Sequence, residues 1–111
     1  MAPAFRVVDL NRINQHWSEN GDEFLVQAHA EIEQVGQPGG EAFQVTVASP
    51  SMLVSELAGR DEIESGRGYI FLNDFDERKV LAWLQKLIER SGASSWQELQ
   101  AYVERYFDWI E

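Results

Sequence analysis

Between Phe24 and Val47 the chain alternates twice with a period of two, and only the cluster Gly36-Gln37-Pro38-Gly39-Gly40 and its short flanks separate the two runs. In the first run Val26, Ala28, Ala30 and Ile32 fall on one side and Gln27, His29, Glu31 and Glu33 on the other; in the second, Phe43, Val45 and Val47 alternate with Gln44 and Thr46. Successive side chains of a strand point to opposite faces, so each run predicts a strand with one apolar and one wet face, and the breakers between them predict a hairpin. Setting Ile32 opposite Phe43 and Ala30 opposite Val45 keeps the apolar residues together and places Glu31 against Gln44 and His29 against Thr46. A hairpin alone is marginal in water, so the rest of the chain has to cover the apolar face.

The remaining pattern supplies that cover. Phe5 to Leu10 predicts a first strand, followed by a polar stretch from Asn11 to Glu23 with the turn signal Asn20-Gly21-Asp22. Ser49 and Pro50 predict the cap and first turn of a short helix running to about Leu57 and ended by Gly59. Gly68 to Leu72 is a nearly continuous apolar run, which predicts a central strand buried on both faces. Asp74-x-x-Glu77 has capping-box spacing, and Val80, Trp83, Leu84, Leu87 and Ile88 then recur at helical spacing up to a stop at Gly92, with Trp83 in the core. A second box, Ser95-x-x-Glu98, opens a last helix with Leu99, Tyr102, Val103, Tyr106, Phe107 and Ile110 on its stripe and Trp96 as a packing anchor; Trp109 lies off the stripe as a candidate exposed interface anchor. Strands first and helices later predict an α+β fold: an antiparallel sheet of about four strands with two C-terminal helices packed on one face, in a single domain spanning 1–111. The stripes suit one core, which predicts a monomer or weak homodimer.

Nineteen acidic residues against nine basic ones give a net charge of −10. Such a surface is repelled by phosphate backbones and anionic lipid, which argues against nucleic-acid and membrane binding and for a basic partner. The densest acidic stretch comprises Asp61, Glu62, Glu64, Asp74, Asp76 and Glu77 against Arg67 alone, and Glu31 and Glu33 add carboxylates on the wet strand face. These eight residues and Trp109 form the candidate partner-binding set. The lack of cysteine removes disulfides, zinc fingers, iron–sulfur ligation and thiol catalysis and suits a reducing compartment. Met1 to Arg6 lacks the pattern of a signal peptide and no apolar run approaches the roughly 20 residues of a membrane span, so a cytoplasmic protein is expected.

Catalytic signatures are missing: there is no GxGxxG, P-loop, HExxH, GxSxG or EF-hand loop. Gly66-Arg67-Gly68 precedes a strand instead of opening a helix, so it reads as a turn. His29, Glu31 and Glu33 share a strand face and suggest a weak metal site or a general base with a carboxylate, but a solvated polar face explains them more simply, since a catalytic metal normally takes three protein ligands. Asp74, Asp76 and Glu77 resemble a glycosidase carboxylate pair, yet helix capping explains them with fewer assumptions. No catalytic residue, metal or cofactor is expected.

The ordered set Gly39-Gly40-Glu41-x-Phe43-x-Val45-x-Val47-x-Ser49-Pro50-x-x-Leu53, Gly66-Arg67-Gly68-Tyr69-Ile70, Phe75-Asp76 and Ser95-Trp96-x-x-Leu99, ending in Asp108-Trp109-Ile110-Glu111, resembles the immunity protein 8 family from about Trp17 onward. Two features depart from it: Met52 follows Ser49-Pro50-Ser51 where the family often has Trp, and the terminal segment differs from the family's Trp-Glu-Phe-Glu. The resemblance implies an α+β cytoplasmic protein, encoded beside a toxin gene in polymorphic-toxin or contact-dependent growth inhibition systems, that binds and neutralises a cognate toxin domain. The family has no catalytic motif to carry over. Many antibacterial toxin domains are nucleases with basic clefts, so a basic nuclease domain is the expected partner. Two alternatives stand beside this: an acidic protein-binding module or assembly subunit unrelated to toxins, and a small hydrolase using the wet strand face.

Overall fold

The computed structural model of the chain describes residues 4–58 and 66–110. Its elements follow in the order β1 (Phe5–Trp17), β2 (Phe24–Gln34), β3 (Gly40–Ala48), α1 (Pro50–Leu57), β4 (Tyr69–Phe71), α2 (Glu77–Arg90), α3 (Trp96–Val103) and β5 (Asp108–Ile110). The architecture is α+β: one mostly antiparallel sheet ordered β1-β2-β3-β4, with β5 also on β3. The two halves of the free side of β3 serve different strands: Ala42–Gln44 pair with β5, and Thr46–Ala48 with β4.

The hairpin of β2 and β3 buries Val26, Ala28, Ala30, Ile32, Phe43, Val45 and Val47 almost completely. Its register differs by two residues from the one the pattern suggests. Ala30 lies opposite Phe43, Ala28 opposite Val45, Ile32 opposite Glu41, Glu31 opposite Ala42, His29 opposite Gln44 and Gln27 opposite Thr46. A slip of two keeps every side chain on its face, so the hydrophobic pattern cannot distinguish the registers and the turn decides. The chain reverses directly after Gln34, whose carbonyl accepts from Gln37 N–H at 3.0 Å, and Gly36 and Gly39 both take φ near 83°. Gly40 thereby becomes the partner of Glu33. A Cβ at Gly40 would sit 2.6 Å from the Ile32 carbonyl oxygen, a backbone atom that cannot yield without moving the strand. Gly40→Ala should therefore lower stability by about 1–3 kcal/mol, read as a drop in the denaturant midpoint at unchanged m-value.

β1 runs through Trp17 and takes in most of the stretch that the sequence presents as a polar loop. Asn11–Trp17 pair with β2 but are exposed, so no buried face imposes an apolar alternation on them. Register shifts between Val7 and Asp9 and between Arg12 and Asn14 leave Val8 and Ile13 as exposed extra residues. Near its start the outer edge of β1 is closed by Gln85 of α2, whose Oε1 accepts from Val7 N–H at 2.8 Å while Nε2 donates to the Phe5 carbonyl at 3.2 Å. That side chain blunts an edge which would otherwise invite another strand.

β4 is short and lies at the sheet edge, parallel to β3, instead of forming a central strand. Only Ile70 is buried; Tyr69 and Phe71 point to the opposite face and stack on each other, centroids 5.6 Å apart and planes at 8°. A half-covered edge with stacked aromatics thus carries the same apolar run as a central strand. Its parallel direction follows from the crossover through α1. Ser49 occupies the cap position of α1, its carbonyl accepting from Met52 N–H at 3.1 Å, but its hydroxyl turns to β2 and accepts from Phe24 N–H at 3.0 Å. Gly59 lies outside the described residues.

α2 and α3 cover the apolar sheet face, with Val80, Leu84, Leu87, Ile88, Leu99 and Val103 joining the core of β2 and β3. The cap of α2 is Asp76, accepting from Arg78 N–H and Lys79 N–H, and not Asp74. Ser95 caps α3 by accepting from Glu98 N–H at 3.2 Å, and Glu98 reaches back to Ser94 N–H at 2.8 Å. Trp83 is not in the core: it is 43% exposed, because it sits about 100° around the helix from Leu84 and so at the margin of the buried stripe.

α3 stops at Val103, and the apolar spacing that predicts its extension continues through a turn into β5. Tyr106 N–H and Phe107 N–H both donate to the Val103 carbonyl at 2.9 Å. Arg67 fixes this turn, its guanidinium donating to the Glu104 carbonyl at 2.8 Å, the Phe107 carbonyl at 3.3 Å and the Asp108 carboxylate at 2.8 Å. Gly68 N–H adds a bond to the Tyr106 carbonyl at 2.8 Å. The Gly66-Arg67-Gly68 turn therefore docks the last strand against β3.

Candidate functional site

Pairing partners share a face of a sheet, so the registers define the face that α2 and α3 leave uncovered. β2 contributes Leu25, Gln27, His29, Glu31 and Glu33; β1 sets Asn11, Asp9 and Arg6 beside His29, Glu31 and Glu33; β3 sets Gln44, Ala42 and Gly40 on their other side. β5 adds Asp108 and Ile110 next to Gln44 and Ala42, and β4 adds Tyr69 and Phe71 next to Thr46 and Ala48. The wet side of the alternation in β2 is thus an interior strip of this face, part-exposed at Glu31 and Glu33, whereas Thr46 and Ala48 at the other end are buried.

One end of this face is acidic and hollow. Gly40 and Ala42 have almost no side chain opposite Glu33 and Glu31, and an open depression of about 570 Å³ lies there between Val8 and Ile110, with Glu31, Glu33 and Glu41 on its lining. Glu33 pairs with Arg6 and Asp108 with Arg67 at 2.8 Å. Both pairs are solvent-exposed and contribute at most about 1 kcal/mol each to stability, so their carboxylates remain available to a stronger cationic partner. Among the described residues no three His, Asp or Glu side chains come together as a metal site requires; His29, Glu31 and Glu33 are spread along one strand.

The other candidate acids lie elsewhere. Asp74, Asp76 and Glu77 precede or open α2 beside the start of β2, where Phe75 packs on Phe24 at 5.6 Å and the Arg12 guanidinium lies 4.5 Å over the Phe75 ring. Asp76 is engaged as the cap and Glu77 lies 3.9 Å from Arg12, while Asp74 is exposed. α2 packs on the apolar side of the sheet while Glu31 and Glu33 lie on the other side of β2, so Asp74, Asp76 and Glu77 form no single patch with them. Asp61, Glu62 and Glu64 lie outside the described residues.

Trp109 is a half-buried strand residue on the core side and not an exposed helix residue. Its ring stacks on Phe43 at 6.4 Å and meets Trp96 edge-on at 6.3 Å, and Trp96 in turn packs on Phe5 at 4.8 Å. The exposed aromatics are others: Phe71 at 41%, Trp83 at 43% and Tyr106 at 42%, besides Trp17 on the far strand. Helical spacing alone marks Trp83 as core; only its position at the margin of the stripe hints at exposure.

Among the described residues no helix is long and apolar enough to cross a membrane. A family model described as Immunity protein 8 matches residues 4–110, nearly the whole chain. No curated protein and no solved structure matches it.

Proposed function

Since the chain belongs to the immunity protein 8 family, we propose that it binds a cognate bacterial toxin domain, and that it does so without catalysis, in the cytoplasm, by meeting a basic surface of the toxin with its acidic one. The observation that carries this reading is the uncovered sheet face, whose acidic end combines Glu31 and Glu33 with a hollow left by Gly40 and Ala42. A lysine or arginine entering that hollow gains carboxylate partners without displacing a core side chain. The net charge of −10 extends the attraction to longer range, and a toxin that cleaves nucleic acid has the basic cleft to answer it. Asp61, Glu62, Glu64, Asp74, Asp76 and Glu77 belong to this proposal as steering charges, and Trp109 as a residue that holds β5 in place beneath the contact face. A polymorphic-toxin or contact-dependent inhibition locus is the setting this function requires.

Co-expression tests it. The toxin domain encoded immediately upstream should arrest growth when expressed alone, and this chain should restore growth and copurify with it. Continued arrest without a complex would remove the toxin reading and leave an acidic module with another partner.

A further inference from the structure

Lys79, Trp83, Lys86 and Arg90 are spaced i, i+4, i+7 and i+11 along α2, so they form one stripe beside the buried one, made of an aromatic and three cations. All four are exposed, and open depressions adjoin Trp83 on several sides. The first, of about 460 Å³, runs between α2 and the Tyr69–Phe71 edge strand, with Lys79 at its border. A second, of about 510 Å³, reaches Arg105 and Tyr106. Among the described residues, Lys79, Lys86, Arg90 and Arg105 make no ion pair. A chain with only nine basic residues thus sets these four, together with the engaged Arg67 and against one acid, Glu89, around one exposed tryptophan. Exposed Trp and Tyr bordered by cations have the composition of a binding hot spot, and their charge is opposite to that of the rest of the surface.

Resting on the reading that the partner is a toxin domain, we propose that this α2–β4 face is a second contact, which seats an apolar side chain of the toxin against Trp83 with flanking toxin carboxylates on Lys79, Lys86 and Arg90. Charge complementarity selects an acidic segment. A nucleic acid would meet the same cations, but also the field of the ten excess negative charges. The two contacts then divide the work by sign: the acidic face meets the basic part of the toxin, and the Trp83 face holds an acidic, apolar segment.

The test measures association and dissociation rates of the purified upstream-encoded toxin domain with the wild-type chain, Trp83→Ala, Trp83→Phe and Lys79→Glu/Lys86→Glu. Trp83→Ala should raise the dissociation rate about thirtyfold with little change in association, and Trp83→Phe should recover most of the loss. The double charge reversal lies on the exposed side of α2, away from the core, and should weaken binding about tenfold at low salt. Tight binding by wild type with all variants unchanged overturns this inference and leaves the toxin reading intact; no binding by wild type overturns both. Sedimentation of the chain alone covers the other occupant: if wild type dimerises and Trp83→Ala does not, the face pairs with a second copy and the proposal is wrong.

Discussion

Phe43→Ala should lower the unfolding free energy by about 3–5 kcal/mol, whereas Trp83→Ala should cost only about 1–2 kcal/mol. Phe43 is 0% exposed at the centre of β3, between Phe107 at 5.3 Å and Trp109 at 6.4 Å. Its removal leaves a void bounded by a sheet strand and two rings that are themselves held by the Arg67-fixed turn, so collapse of the site is limited and the cavity cost stays high. Trp83 is the larger side chain, but much of it is already in water and its one core ring contact is edge-on with Phe107 at 6.5 Å. Equilibrium unfolding in urea, followed by far-ultraviolet circular dichroism so that loss of a tryptophan does not alter the signal, compares the two. If Trp83→Ala proves as costly as Phe43→Ala, α2 is rotated relative to the position described and Trp83 belongs to the core. The comparison also fixes how Trp83→Ala is read in a binding experiment, since a variant that stays folded isolates the loss of contact.

How much of this was legible in the sequence depended on whether burial imposed a pattern. β2 and β3 have one face in the core along their length, and their alternation identified the strands and the correct faces; the register escaped because a two-residue slip preserves that pattern and a turn hydrogen bond settles it. The paired second half of β1 has no buried face and therefore left no periodic trace. The run around Ile70 and the spacing from Leu99 to Ile110 misled for a different reason. Stacking of Tyr69 on Phe71 and docking of Phe107 across a turn keep apolar residues where the local pattern demands none. Ser95 and Gly92 marked a cap and a stop correctly because those signals are chemical and local, whereas the cap of α2 fell on Asp76 two residues beyond the Asp74 spacing. Of the candidate contact residues, Glu31 and Glu33 were identifiable from the wet side of the alternation. The hollow beside them depends on small residues of β3 being brought across the register, which no single run of sequence displays.

Reversing the charge at the hollow, with Glu31→Lys/Glu33→Lys, should slow association with the toxin domain by about ten- to a hundredfold at low ionic strength. The two carboxylates are partly exposed on β2, an interior strand of the open face, where an approaching cation can reach them. Raising the salt from about 0.05 to 0.5 M shrinks the screening length from roughly 14 to 4 Å, so the wild-type rate should fall steeply and approach that of the variant. The acids before and at the start of α2 belong to the helix-covered side of the sheet, opposite the face that carries Glu31 and Glu33, and so are tested by separate variants. Asp61→Asn/Glu62→Gln/Glu64→Gln tests those three acids in the same way, while Asp76 is left unaltered because losing a cap lowers stability and imitates a binding defect. Stopped-flow association across the salt range assigns the steering charges. If reversal at Glu31 and Glu33 leaves the rate unchanged and neutralising Asp61, Glu62 and Glu64 slows it, the contact centres on those three acids; if wild type itself shows a flat rate with salt, the acidic surface does not steer the encounter, and the Trp83 face becomes the principal contact.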